Sequence, residues 1–318
     1  MGEKLSSRRL AQDWKYPRYS KFEEQLRVAA SNWFEKKGFP VHPKMKYCLD
    51  KLANWTTNII LPEVSNYILD VRQQKEKDSR PFPLHKYAHH GLSSQAMVFN
   101  LMGPLIVRND YDPLIEVLEN KGISINKKIE AEFEYEDRTV FNEDTGQPTS
   151  IDLIIKSKGS EKKPFIFVES KLVEAEFGGC SVFAKGDCNG RSPVNDKPSC
   201  FLHFIGRKYW DLMDKHGFAE VLKDQKICIL VNYYQFFREL LLSIEKNGTF
   251  VLLYDERSPV FVNSDGRGLI PLLREFIPEQ HQNKLILITI QELVESISRH
   301  QMHSDWIGEF KEKYGIIK

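Results

Sequence analysis

Three charged residues interrupt two strand-like apolar runs, and their types and spacing suit phosphate chemistry. Residues 149–156 read TSIDLIIK and residues 163–172 read KPFIFVESKL, with a short polar turn between them. Side chains alternate along a strand, so Glu169 and Lys171 share a face while Ser170 points the other way. Pairing of the two strands would set Asp152 beside Glu169 on that face. Hard divalent cations take carboxylate oxygens, and Mg2+ usually takes one or two while keeping several waters. Asp152 and Glu169 would supply those oxygens, with the main-chain carbonyl after Glu169 as a third ligand. Such a cation lowers the pKa of a bound water and neutralises charge on a scissile phosphate. Lys171 would orient that water and stabilise the developing charge, so the residue types match hydrolysis of a phosphodiester. In two ordinary strands the same charges would be a surface ion pair worth little.

Around these strands the hydrophobic period is helical first and mixed afterwards. Phe22, Leu26, Ala29, Ala30, Trp33 and Phe34 predict a helix over 22–37, stopped at Gly38-Phe39-Pro40. A second helix over 54–74 is either kinked or begun afresh at Pro62, and Arg80-Pro81-Phe82-Pro83 breaks the chain. Ser93 or Ser94 caps a helix that Gly103-Pro104 should end. Another helix over 113–120 ends at Gly122. From 128 to 136 the period becomes two. Ile129, Ala131, Phe133 and Tyr135 alternate with Glu130, Glu132, Glu134 and Glu136, which reads as a half-buried strand with an acidic outer face. Residues 142–148 form a turn, 150–155 and 164–169 are the next strands, and 172–199 is a long ordered loop. A helix over 201–216, a strand over 226–232, a helix over 236–247 and a strand over 249–254 follow. A helix over 269–276, a strand over 284–289 and terminal helices complete the chain. A hairpin first and alternating strands and helices later give an α/β fold, a mixed sheet flanked by helices. Residues 1–90 form a helical N-terminal extension and 91–318 the α/β domain.

Asp152, followed by Glu169-Ser170-Lys171 at the end of the next apolar strand, resembles the PD-(D/E)xK nuclease superfamily. Its members include many type II restriction endonucleases and several repair and recombination nucleases. Its helix, three-stranded meander, helix and further strand match the order read over residues 93–232, about half of the chain. Ile151 stands where the motif's proline would be. The resemblance implies a restriction-endonuclease-like core and an endodeoxyribonuclease dependent on Mg2+ or Mn2+. Asp152, Glu169 and Lys171 are its expected active site and DNA its expected partner. Many members carry a Glu or Gln on the first core helix, facing the metal. Gln95 fits that place, with Ser94 and Asn100 as neighbours; Glu132 or Glu134 is the rival third acidic contact. Restriction-like cleavage in cellular defence is the leading reading. Cutting two strands with a single-site enzyme commonly takes two copies, so a C2 homodimer is expected. A repair or structure-specific nuclease with the same site is one alternative. A DNA-binding module that has lost catalysis is the other.

Cys180, Cys188 and Cys200 fall within 21 residues, with His203 one helical turn after Cys200. Together they would close a structural Zn2+ site and tie down a loop too polar to pack by itself. An iron–sulfur cluster, as in some nucleases of the superfamily, would need Cys228 as a distant fourth ligand. Free cysteines acting as small hydrophobes are the third reading. Lys185, Arg191 and Lys197 in the same loop are candidate contacts to DNA. His85, His89 and His90, ahead of the first core helix, suit phosphate contacts, metal ligation or a capping role. No P-loop, GxSxG or Rossmann fingerprint is present, so no nucleotide cofactor is expected.

Composition bounds these readings. The chain has 318 residues, 41% hydrophobic and 28% charged, too apolar for disorder and too polar for a membrane bundle. It has no long apolar span and no apolar leader, and its five cysteines do not suit a secreted disulfide scaffold. A cytoplasmic protein that does not enter the membrane is expected. The net charge of +1 hides a balance of +5 over residues 1–50 and −4 over the rest. That basic segment carries Trp14, Tyr16, Tyr19 and Trp33, which could meet a phosphate backbone or lie buried behind a solvated face.

Overall fold

A computed structural model of the chain describes residues 21–125, 128–144, 148–157 and 165–316. Trp14, Tyr16 and Tyr19 lie outside the described residues, as does the polar turn after the second strand. Five strands form one mixed sheet in sequence order: β1 Ile129–Asp137, β2 Thr149–Ser157, β3 Ile166–Lys171, β4 Thr249–Tyr254 and β5 Leu285–Thr289. The first two pairings are antiparallel and the last two parallel. Parallel pairs need crossovers, and helices supply them.

The helices cover both faces. Ahead of the sheet come α1 Lys21–Lys36, α2 Pro62–Lys77, α3 Ser94–Val107 and α4 Asp112–Asn120. Between β3 and β4 lie the single turns α5 Ser181–Ala184 and α6 Phe201–Phe204, then α7 Tyr209–Lys215, α8 Phe218–Leu222 and α9 Leu230–Glu245. The chain closes with α10 Leu269–Arg274, α11 Ile290–Arg299 and α12 Ile307–Tyr314. One hydrophobic cluster joins α1, α2, α3, α4, α11 and α12 to the sheet face that carries Phe133, Leu153 and Val168. A second joins α7 to α10 to the face that carries Ile154, Phe167 and Phe250. Residues 21–90 therefore share a core with the sheet. Among the described residues no helix is long and apolar enough to cross a membrane.

One open choice is decided and three local expectations are corrected. Pro62 starts α2 afresh, as a proline in a first helical turn can. The helix capped by Ser93 runs on through Gly103 and Pro104 to Val107. Gly103 serves close packing there: a Cβ on it would lie 2.4 Å from Val64 Cγ1 of α2. The 201–216 helix is split by Gly206, whose φ of 85° breaks α6 from α7. Residues 226–232 are no strand, because β3 and β4 pair directly and leave no gap to fill. Ile227 makes only an isolated bridge to Arg191, and the apolar run continues into α9.

Gly103→Ala should destabilise the protein by about 1–3 kcal/mol, because overpacking against the stiff, buried Val64 outweighs the better helix propensity of alanine. Denaturant melts would show it, and a Val64→Ala background should recover part of the loss. A Gly103→Ala protein as stable as the parent would disprove the close-packing role.

Candidate active site

The sheet register puts three carboxylates in one row. Phe133 pairs with Leu153 and Tyr135 with Ile151, which sets Glu134 opposite Asp152. Leu153 pairs with Val168, so the next rung sets Asp152 opposite Glu169. The row lies where β2 and β3 stop pairing, beside a cavity of about 660 Å3. Gln95, Glu134, Asp152, Glu169, Lys171 and Glu239 all line that cavity.

Glu134 is the least ordinary member. Its φ is +53°, a left-handed conformation that costs an L-residue in a strand on the order of 1–3 kcal/mol. The turn breaks the alternation of β1. Ile129 and Phe133 face one core cluster, and Tyr135 packs against the other. The expected single apolar face is therefore corrected at this residue. Gln95 Nε2 donates to Glu134 Oε1 at 2.6 Å and to Pro83 O at 2.9 Å, while Gln95 Oε1 accepts from His85 N at 2.8 Å. The carbonyls of Phe133 and Glu134 accept from the buried Lys75 Nζ at 3.1 and 2.8 Å. Lys75 comes from α2, so the N-terminal helices help to hold the site. Glu132 points elsewhere and pairs with Lys75 and Arg80, both at 3.1 Å.

Asp152 and Glu169 are tied to the chain around them. Ser170 N donates to Asp152 Oδ2 at 2.8 Å. Glu169 Oε1 accepts from Lys171 Nζ at 2.7 Å and from Gln235 Nε2 at 2.6 Å, and Lys171 also donates to Gln235 Oε1 at 3.0 Å. Burial pushes the Asp152 carboxyl well above the usual range, with Glu169 and Glu134 adding to the effect. Burial and Glu169 do the same to Glu239, whose Oε2 is buried with no hydrogen-bond partner. Burial and the nearby Glu169 raise Glu134 to about 7, against the pull of the Gln95 hydrogen bond. Burial works against the Lys171 ammonium, but Glu169 and three further carboxylates outweigh it and its pKa rises, so Lys171 stays charged.

The chain matches a family model described as "Restriction Endonuclease associating with ARP" over residues 27–315. It belongs to that family. It is thus a restriction-endonuclease-like nuclease, a hydrolase whose family acts on DNA, and the mixed sheet flanked by helices agrees with that fold. No curated protein and no solved structure matches it.

In this nuclease Gln235, Arg238 and Glu239 enter the cavity from α9, and sequence reading missed all three. The signal was present: they are polar positions in an otherwise apolar run, YYQFFRELLL, with Gln235 and Glu239 one helical turn apart. The helix expected over 236–247 left Gln235 out and so hid the pair. α9 kinks at Tyr233, with φ −130° and ψ 35°. Gln235 N donates to Gly178 O, and Cys180 N donates to Leu230 O. Gly179 permits this docking, since a Cβ there would lie 2.3 Å from the Val231 carbonyl oxygen. The loop after β3 and the kinked start of α9 thereby set Gln235 over Lys171 and Glu169.

The other sequence-predicted residues scatter. Asn100 lies inside the fold, bonded to Ile60 N at 2.7 Å and to Tyr314 Oη at 3.1 Å, and does not line the cavity. Ser94 and His85 do line it. Lys185 and Arg191 are exposed on the loop, and Lys197 pairs with Asp211 and Asp214 of α7. Cys180, Cys188 and Cys200 line one small void with Cys228, whereas His203 does not; its Nδ1 faces Asp211 at 3.9 Å. Among the described residues no three or more His, Cys, Asp or Glu side chains are grouped, as they stand, so as to hold a metal ion.

Two outcomes follow from the geometry. The folded state holds the Glu134 proton up to about pH 7, whereas the unfolded chain releases it near the ordinary 4.5. Without divalent cations, stability should therefore fall by about 3 kcal/mol from this group as pH rises from 4.5 to 7, then level off. Asp152 and Glu239 push in the same direction. Urea melts across that range should show the slope, and Glu134→Gln should make it shallower by that residue's share and be the more stable protein at pH 8. Lys75→Met should cost about 3 kcal/mol by removing the donor that two buried carbonyls share and the partner of Glu132. A Lys75→Met loss of only a few tenths would mean those contacts do not hold the bend at Glu134.

Proposed function

We propose that this chain is a Mg2+-dependent endodeoxyribonuclease of the restriction type, with Asp152, Glu169 and Lys171 as catalytic residues. The row formed by Asp152 and Glu169 beside the protonated Lys171 carries the reading. The donor set suits a hard cation: carboxylate oxygens only, desolvated, mutually repelling, one of them on Glu239 without a partner. Two protein oxygens suffice for Mg2+ or Mn2+, so a cluster of three prearranged ligands is not required. The cavity that a phosphate must enter is lined by Glu134, Asp152, Glu169, Glu174 and Glu239 against Lys171 and Arg238. Ionising these crowded carboxyls beside a phosphate requires a cation to offset their charge.

Asp152 and Glu169 would hold the ion, with the Ser170 carbonyl as a third ligand. When bound, the ion supplies charge neutralisation at the scissile phosphate and a more acidic water. The chain's own groups do the rest. The Ser170 amide fixes the Asp152 carboxylate. Lys171, held charged by Glu169, spends two of its three donors on Glu169 and Gln235, which leaves one to orient the attacking water or to bind a phosphate oxygen. Gln235 positions both Lys171 and Glu169. Gln95 and Glu134 brace the row from α3 and β1. A C2 homodimer would bring two such sites to the two strands.

Plasmid and phage DNA incubated with Mg2+ should give discrete fragments, and Lys171→Ala or omission of Mg2+ should abolish them. Gln235→Ala should slow cleavage by about 10²-fold while leaving DNA binding in place. Added Mg2+ should raise the melting temperature more at pH 8 than at pH 6, and Asp152→Asn should remove the increment. A smear lost in both controls would favour the repair-type enzyme. Salt-sensitive binding without cleavage of any duplex would overturn the enzymatic reading in favour of an inactive module.

A further inference from the structure

The long segment between β3 and α7 is anchored at its start by the fully buried Leu172 and Phe177, and further on mainly by the partly buried Phe183, Val194, Cys200 and Leu202. Its two helices, α5 and α6, are single turns, and neither buries a residue fully. Phe201, Phe204 and Ile205 are exposed. Yet this segment shapes the nuclease site, because Gly178, Gly179 and Ser181 line the acidic cavity and Gly178 accepts from Gln235 N.

Four of the five cysteines of the chain meet under this segment. Cys180 precedes α5, Cys188 follows it in the loop, Cys200 precedes α6, and Cys228 lies just ahead of α9. All four line one void of about 20 Å3, together with apolar side chains such as Phe183 and Leu230. All four are free thiols. Two main-chain hydrogen bonds and one to a sulfur hold three of them in place. Cys180 N donates to Leu230 O at 3.0 Å, Cys228 N donates to Gly190 O at 2.9 Å, and Gly190 N donates to Cys188 Sγ at 3.3 Å. The fifth cysteine, Cys48, lies by itself in the other half of the molecule, bridged to His90.

We propose that Cys180, Cys188, Cys200 and Cys228 form a tetrathiolate site for one zinc ion that fastens the loop after β3 to the start of α9. Chemistry and space select the ion. Four sulfurs without oxygen or imidazole donors suit a thiophilic metal, and a closed four-coordinate sulfur site is the structural zinc arrangement. A void of about 20 Å3 has room for one water-sized sphere, the space a single ion takes. The thiols as they stand are not close enough to hold the ion, so binding must draw them inward onto the void with loss of their protons. Single-turn helices and glycine-bearing loops can make that small movement. Cys228 takes the place that sequence spacing gave to His203, because His203 lies on the α7 side of its turn, facing Asp211.

The test is the metal content of the full-length protein, purified without chelator, with its thiol reactivity. About one zinc per chain is expected, with the four thiols unreactive until a chelator is added. Chelation should also increase hydrogen exchange in residues 178–208 while leaving the β-sheet protected. Cys228→Ser should lose the zinc and His203→Ala should keep it. Should Cys228→Ser fail to fold, Co2+ substitution in the unaltered chain should give the intense visible bands of a tetrahedral tetrathiolate. Iron with inorganic sulfide would overturn the proposal, as would zinc retained in Cys228→Ser but lost in His203→Ala. A metal-free protein with no Co2+ spectrum would overturn it as well.

Discussion

Placing like charges side by side, out of water, is the constraint around which this molecule is organised. Glu134, Asp152 and Glu169 lie side by side on three neighbouring strands where the β2–β3 pairing ends, and Glu239 reaches the same cavity from α9. Desolvation and mutual repulsion oppose ionisation of this group, and Asp152 and Glu239 show it most strongly. The compensations are specific: one ammonium from Lys171, one amide from Ser170, and side-chain amides from Gln95 and Gln235. They come from different elements of the fold, so the site exists only when both layers of helices are in place.

The two hydrophobic cores divide that work. The face covered by α2 and α3 delivers Gln95 and the Lys75 ammonium that satisfies the carbonyls freed by the bend at Glu134. The opposite face, covered by α9, delivers Gln235, Arg238 and Glu239. A strained residue in the middle of a strand persists only where its surroundings over-determine it, and Glu134 has contacts from Lys75 of α2, Gln95 of α3 and Ser150 of β2. Its strain and its raised proton affinity belong to one arrangement: the bend that breaks the strand also turns the carboxyl into the cavity.

The loop after β3 connects the sheet to the second layer. It approaches α9 so closely that only glycine fits at position 179, and its two hydrogen bonds to α9 straddle the kink at Tyr233. Beyond Phe177 that loop buries most of its apolar side chains only in part, and the four sulfurs beneath it are the group of side chains suited to anchor it further.

Much of this was legible in the chain itself. Alternation and apolar runs determine β2 and β3, and the charges set into those runs mark Asp152, Glu169 and Lys171, because a buried strand admits a charge only where something pairs with it. The resemblance carried Gln95 and the fold class, and helix periodicity located α1, α4 and most of α9. Tertiary structure alone decided the rest. Strict alternation could not show that Glu134 leaves its outer face, since the bend depends on a lysine from α2. Gly103 reads as a helix stop and Gly179 as part of a loop, but both are contact points, because a missing Cβ records the distance to a partner that is remote in sequence. Cys228, separated from Cys200 by 27 residues, joins the other sulfurs only when α9 folds back against the loop. Local pattern depends on a residue's own neighbours, whereas these four positions answer to chains brought close by the sheet.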